Sequence, residues 1–141
     1  LYLEKQVHSF IRNIINKGFV NSAHDLGDGG LAIAIAECCI SSGYGANIIL
    51  PSSSSRLERL LFAEGGARVL VSCSSDQSLE LKQYYKNSFS EESNIFSICH
   101  LGTVNNKQKL LVHQSNNLII DVNISEIKDI YKNTIYKKMT K

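Results

Sequence analysis

Residues 31–36, Leu-Ala-Ile-Ala-Ile-Ala, constrain the fold more than any other stretch of this sequence. Large and small apolar side chains alternate there, which by period alone fits a strand as well as a helix. Alanine is the best helix former and a poor strand residue, so the composition selects a helix. A helix apolar almost all round has to be buried by other elements. The apolar run reaches Ile40, broken by Glu37, and falls far short of the roughly 20 residues that span a bilayer. Gly27-Asp28-Gly29-Gly30 stands directly before it, and Gly43 and Gly45 follow, so both ends carry residues that turn the chain.

Other elements must supply the burial. Leu3, Val7, Phe10, Ile11, Ile14 and Ile15 recur at three- and four-residue steps ahead of Gly18, which predicts an N-terminal helix. An extended piece over 19–24 leads into the glycine turn. Strands are expected over 46–50 and 67–73, with a short helix ending at Phe62 and capped by Ser54 or Ser55. A helix over 76–87 opens on Asp76, an acidic residue suited to the positive helix end. Three extended segments follow, over 95–104, 109–113 and 118–122, the first two joined by a turn at Asn105-Asn106. An amphipathic helix over 125–138 closes the chain, using Ile127, Ile130, Tyr131 and Ile135. Helices and strands interleave early and strands cluster late. The expected fold is therefore α+β, layered α/β/α, with a mixed β-sheet covered by helices. No repeat or linker divides the chain, and a single domain over 1–141 is expected.

Charge excludes some partners. Fifteen basic and 13 acidic residues give +2, too weak a bias to drive binding to nucleic acid or an anionic membrane. Lys132, Lys137, Lys138 and Lys141 gather at the end, as a solvated helix terminus and tail. The four cysteines, Cys38, Cys39, Cys73 and Cys99, contain no CxxC pair and sit in apolar contexts, so buried thiols in a reducing cytoplasm are expected. No signal peptide opens the sequence, and a cytoplasmic location is expected. Leu1 already lies in helical periodicity, which suggests a piece whose natural beginning lies upstream.

Two stretches carry the candidate chemistry. The first is His24-Asp25-Leu26-Gly27-Asp28-Gly29-Gly30, running from a strand into the buried helix. Free amides at a helix start attract an anion such as phosphate, with His24 and Asp25 orienting one another at its mouth. Equally, the aspartates can cap the helix and satisfy those same amides. The second stretch is Ala63-Glu64-Gly65-Gly66-Ala67-Arg68. Its paired glycines permit close backbone approach, and Glu64 and Arg68 either pair across the turn or face a ligand. His8, His100 and His113 share no spacing and are expected on the surface or on edge strands. No Walker motif, GxSxG elbow or HExxH is present, and no metal site is expected.

In combination these stretches resemble the aminoimidazole ribonucleotide synthetase-related C-terminal domain. Ser22-Ala23-His24-Asp25 through Gly29-Gly30-Leu31-Ala32, then Ala36-Glu37 and Gly43-Tyr44-Gly45-Ala46, look like its opening. Leu61-Phe62-Ala63-Glu64-Gly65-Gly66-Ala67-Arg68, a strand, and Leu101-Gly102-Thr103-Val104 follow in the family's order. The similarity spans residues 1–138. Within the superfamily it is most similar to the synthetase subunits of phosphoribosylformylglycinamidine synthases, although Gly27 replaces the serine common there. Hydrogenase-maturation relatives, which dehydrate a carbamoyl group, usually carry Thr-Arg at Gly27-Asp28 and form the alternative. A non-catalytic docking domain is a third.

The resemblance implies an ATP-dependent C–N ligase of purine biosynthesis. Formylglycinamide ribonucleotide is activated with ATP and Mg²⁺, and glutamine-derived ammonia turns it into an amidine. It implies that ATP and Mg²⁺ bind mainly outside this segment, that no catalytic residue lies within it, and that the segment alone is inactive. The implied partners are the N-terminal-type domains of its own chain and a glutaminase component. Synthetases of the family are internally duplicated, and the first copy contacts substrate through a Glu-Ser-Gln. Glu64-Gly65-Gly66 lacks that hydroxyl and amide, which implies the second copy. The phosphate or ligand candidates are His24, Asp25, Gly27, Asp28, Gly29, Gly30, Glu64 and Arg68.

Overall fold

The N-terminal apolar stripe forms helix α1, Tyr2–Asn16, with Val7, Phe10 and Ile14 buried. This is seen in a computed structural model, which describes residues 2–52, 56–89 and 96–140. Gly18 ends α1 in the left-handed region at φ 71°, as its position predicts. Its N–H donates to the Ile15 carbonyl and that of Phe19 to the Ile14 carbonyl, closing the helix in a Schellman-type turn. The elements that follow are β1 (Ser22–Asp25), α2 (Gly30–Ser42), β2 (Gly45–Leu50), α3 (Leu57–Phe62), β3 (Val69–Ser72), α4 (Ser75–Ser88), β4 (Gly102–Asn105), β5 (Lys109–Gln114), β6 (Asn117–Asn123) and α5 (Ile124–Met139). The fold is α+β, with mixed sheet and helices, as expected. Ser54 and Ser55, the expected caps of α3, lie outside the described residues.

The chain forms two compact units. One comprises residues 1–34 and 61–99. There α1 and α4 share a core of Phe10, Ile14 and Leu81, flanked by Phe19, Val71, Tyr84, Tyr85, Phe89 and Phe96. Phe10 is its hub, with ring centroids 5.3 Å from Phe96, 5.7 Å from Tyr84 and 5.8 Å from Phe89. Strands β1 and β3 pair antiparallel, with Ser22 opposite Ser72 and Asp25 opposite Val69. Asp76 lies in the first turn of α4, as expected, and the cap is Ser74, whose hydroxyl accepts from the Gln77 N–H while the Gln77 side chain accepts from the Ser74 N–H. This capping box satisfies two helix-end donors at once. Gln77 Nε2 also donates to the Gly18 carbonyl, tying the start of α4 to the end of α1.

The other unit comprises residues 35–60 and 100–141. Its four-stranded sheet has the order β4-β2-β5-β6. Strands β2 and β5 run parallel, and the remaining pairs are antiparallel. Ala46, Ile48, Leu50, Leu110 and Val112 alternate into its buried face, where Ile35, Cys39 and Ile124 are also buried. The turn at 106–108 joins β4 to β5, yet these strands are not neighbours; they flank β2 on either side. The turn therefore crosses the start of β2. A Cβ at Gly45 would strike the Lys109 carbonyl, so only glycine fits beneath the crossing. Gln108 holds it by donating to the Gly43 carbonyl.

Four expectations need correction. The extended segment over 95–104 is a strand only from Gly102 to Asn105, and Ile95 lies outside the described residues. Its partner β2 ends at Leu50, and the Ile49 N–H donates to the Leu101 carbonyl, so the ladder with β2 reaches back no further than residue 101. His113 lies on the interior strand β5, half-buried, rather than on an edge. Cys39 is buried but Cys99 is exposed, because its segment has no sheet to cover it. Finally, α5 is a helix as expected, but Ile130 and Tyr131 of its apolar side are 57% and 61% exposed. The Ile135 side chain lies outside the described residues.

Candidate functional site

Two turns meet where β1 and β3 lie side by side, and the candidate residues lie on these turns or, for His24 and Asp25, at the end of β1. Pairing of Asp25 with Val69 continues one step through the Leu26 N–H, which donates to the Arg68 carbonyl at 3.2 Å. The first turn then enters α2 through Gly29 and Gly30, both left-handed at φ 78° and 64°. The Gly30 N–H donates back to the Gly27 carbonyl at 3.1 Å. A Cβ at Gly30 would lie 2.7 Å from the Ala63 carbonyl oxygen and 2.9 Å from that of Leu61. Gly30 is thus where the backbone of one turn rests on the other. Only a residue without a side chain permits that approach.

The second turn sends a carboxylate to the first. Glu64 Oε1 accepts from the Gly29 N–H at 2.9 Å. Arg68 does not pair with Glu64; its guanidinium donates to the Ala63 carbonyl, bracing the turn from within. The carboxylate at the start of α2 thus comes from Glu64 and not from the aspartates expected there, and Asp25 and Asp28 are exposed. A carboxylate at the positive end of a helix is favourable for the reason that a phosphate would be. Its presence also opposes a second anion at the same amide.

The His24 and Asp25 side chains lie at ion-pair distance rather than in a direct hydrogen bond. His24 Nδ1 lies 2.6 Å from the Asp25 carbonyl oxygen but 4.0 Å from the carboxylate, which is 90% exposed. A bond to the carbonyl makes Nδ1 the protonated nitrogen and fixes the ring's tautomer. Of the candidates, the structure joins Gly29 to Glu64 by a hydrogen bond and seats Gly30 against the second turn, while Asp25, Gly27 and Asp28 are exposed and His24 bonds to the Asp25 carbonyl. Glu64 was visible as a residue in the sequence. Its partner was not, because the two lie 35 positions apart.

Thiol chemistry is disfavoured on α2. Burial, with a smaller push from Cys38, raises the Cys39 pKa to about 11, and burial, with Glu37 beside it, raises that of Cys38. Both are held in the poorly nucleophilic thiol form at neutral pH. Among the described residues no three His, Cys, Asp or Glu side chains group so as to hold a metal ion. No helix among them is long and apolar enough to cross a membrane. Among the described residues no carboxylate cluster offers a seat for Mg²⁺, and the Gly29 amide at the entry of α2 already holds Glu64.

Comparison with known proteins supplies the wider setting. The family described as AIR synthase related protein, C-terminal domain, matches residues 1–113. The chain is 75% identical over all 141 residues to the phosphoribosylformylglycinamidine synthase subunit PurL of Prochlorococcus marinus strain NATL1A, and covers 18% of that protein. It is 45% identical to the corresponding subunit of Cyanothece sp. strain PCC 7425, again covering 18% of it. Among solved structures, Thermotoga maritima PurL complexed with FGAR superposes with a TM-score of 0.75 at 19% identity, covering 89% of this chain and 21% of that one. The PurLQS structure from the same organism gives 0.72 at 20% identity, covering 86% of this chain and 21% of that one. The chain thus spans less than a fifth of the length of these curated relatives.

Proposed function

Because the chain belongs to the family of AIR synthase related C-terminal domains, we propose that residues 1–141 form the second C-terminal-type domain of a phosphoribosylformylglycinamidine synthase. The observation that carries this reading is the 75% identity to such a subunit, sustained over all 141 residues. The longer polypeptide is then an ATP- and Mg²⁺-dependent ligase in the cytoplasm. It converts formylglycinamide ribonucleotide and ammonia from a glutaminase partner into the amidine. Placement in the second copy rests on Glu64-Gly65-Gly66, where a substrate-contacting copy carries Glu-Ser-Gln.

On this reading the domain contributes shape rather than reacting groups. Gly30 and Glu64 lock the entry of α2 against the loop before β3. Turnover then belongs to the N-terminal-type domains of the same polypeptide. Growth of a purine auxotroph lacking the synthetase subunit, restored by the full-length gene, tests the assignment; failure of a well-expressed protein to restore it counts against it. Residues 1–141 alone, given substrate, ATP, Mg²⁺ and ammonia, should show no turnover.

The corner keeps one possible ligand role, as an anion site at Gly29 and Gly30 from which Glu64 must be displaced. Phosphate titration followed at the amides of residues 27–31 examines it. The shifts should be larger in Glu64→Gln than in the unaltered protein. Unmoved signals in both leave the corner as scaffold alone.

A further inference from the structure

Gln108 is one of two non-glycine residues, among those described, with a left-handed backbone, at φ 56°. A Cβ there crowds the following carbonyl oxygen, so such positions are normally left to Gly or Asn. Something has to hold a glutamine in that conformation. Its own side chain does: Nε2 donates to the carbonyl of Gly43, the left-handed residue that closes α2. The backbone thus held has a second use. The Gln108 carbonyl accepts at 2.9 Å from the Ile124 N–H, the first amide of α5.

The surroundings make these two bonds depend on each other. The N-cap residue of α5, Asn123, makes no side-chain capping bond, so the Ile124 amide is satisfied from Gln108. Gln108 is exposed, so burial does not fix its conformation. The other side-chain bond of the turn is local, Asn105 Oδ1 accepting from the Lys107 N–H, and ties nothing to α2. A glycine at position 108 would take the same φ without strain but could not reach Gly43. The grip on one helix and the strained carbonyl that serves the other thus belong to a single side chain and its own backbone.

We propose that Gln108 is a strained latch: its grip on Gly43 keeps its own backbone left-handed, and that backbone keeps the first amide of α5 bonded, so the end of α2 and the start of α5 are coupled through one residue. The latch is independent of the ligase reading. Hydrogen exchange in the full-length protein, resolved to single amides by mass spectrometry with electron-transfer fragmentation, tests it at Ile124. Gln108→Ala removes the grip and keeps the Cβ, so residue 108 should leave the left-handed region and Ile124 should exchange about tenfold faster. Gln108→Glu, which turns an acceptor towards the Gly43 carbonyl, should do the same. Gln108→Gly also lacks the grip but adopts the left-handed backbone freely, so Ile124 should stay within about threefold of the unaltered protein. Amides of α1 and α4 should keep their protection in all three variants. Equal acceleration in the glycine and alanine variants overturns the proposal, because the side-chain bond would then act without the strain. So does unchanged exchange in Gln108→Ala, or protection lost throughout α1 and α4.

Discussion

At the scale of single residues, Gly30 and Gly65 separate two reasons for keeping a glycine. Both have positive φ, 64° and 79°, so an alanine is strained at either. Only Gly30 has backbone in the way; a Cβ at Gly65 meets nothing within 4 Å. Gly65→Ala should therefore cost about 1 kcal/mol, and Gly30→Ala about 2–3 kcal/mol, from strain plus overlap with Ala63. Urea unfolding of the two variants gives the comparison, and equal losses would remove the close approach from the account. Glu64→Ala should cost about 1 kcal/mol by leaving the Gly29 amide without its partner, and Glu64→Gln should recover part of it. The glycines were legible in the sequence because each marks a local turn. The Glu64–Gly29 bond was not, since local spacing says nothing about which turns a fold brings together.

Among the elements, those with internal periodicity were the most legible. Helix α1 and strands β2, β5 and β6 lie close to where their apolar patterns put them. The sequence reading placed Asp76 in the first turn of α4 but named no cap, although the three-residue spacing of Ser74 and Gln77 is itself a signature. Ser74→Ala should lower stability by about 1 kcal/mol, more than Asp76→Asn, as thermal unfolding can establish. Helix α5 carries its own pH response. Asp129 accepts from Lys137 at 2.5 Å and from Asn133 at 2.7 Å, and these bonds hold its pKa below the ordinary 3.8. A depressed carboxylate stabilises above its ordinary value and loses that contribution as pH falls through the folded one. Tyr131 is shifted the other way, raised above 10 by its hydrogen bond to Glu37, so its contribution is lost as pH rises through the higher value. Far-UV circular dichroism should show α5 losing helicity at the acid end. Asp129→Asn should abolish that step, and Tyr131→Phe should remove only the alkaline one.

Over the whole molecule, the fold class was readable but the division of strands between two sheets was not. Strand propensity says that a segment is extended; the partner is chosen by burial elsewhere in the chain. One unit rests on an aromatic core around Phe10, and Phe10→Ala should cost about 3–5 kcal/mol, with Phe10→Leu costing less. Denaturant midpoints measure both.

The crossing of the 106–108 turn over Gly45 has a temporal side. Strand β2 is complete once residue 50 is synthesised, yet both of its neighbours are encoded between residues 102 and 114. Until then its apolar residues and both rows of main-chain hydrogen-bonding groups stand open, a hazard for a nascent polypeptide. Synthesis halted at residue 99 would complete every segment of the Phe10 unit and strand β2 without a partner. Such stalled chains should aggregate, and chains extended past residue 114 should not.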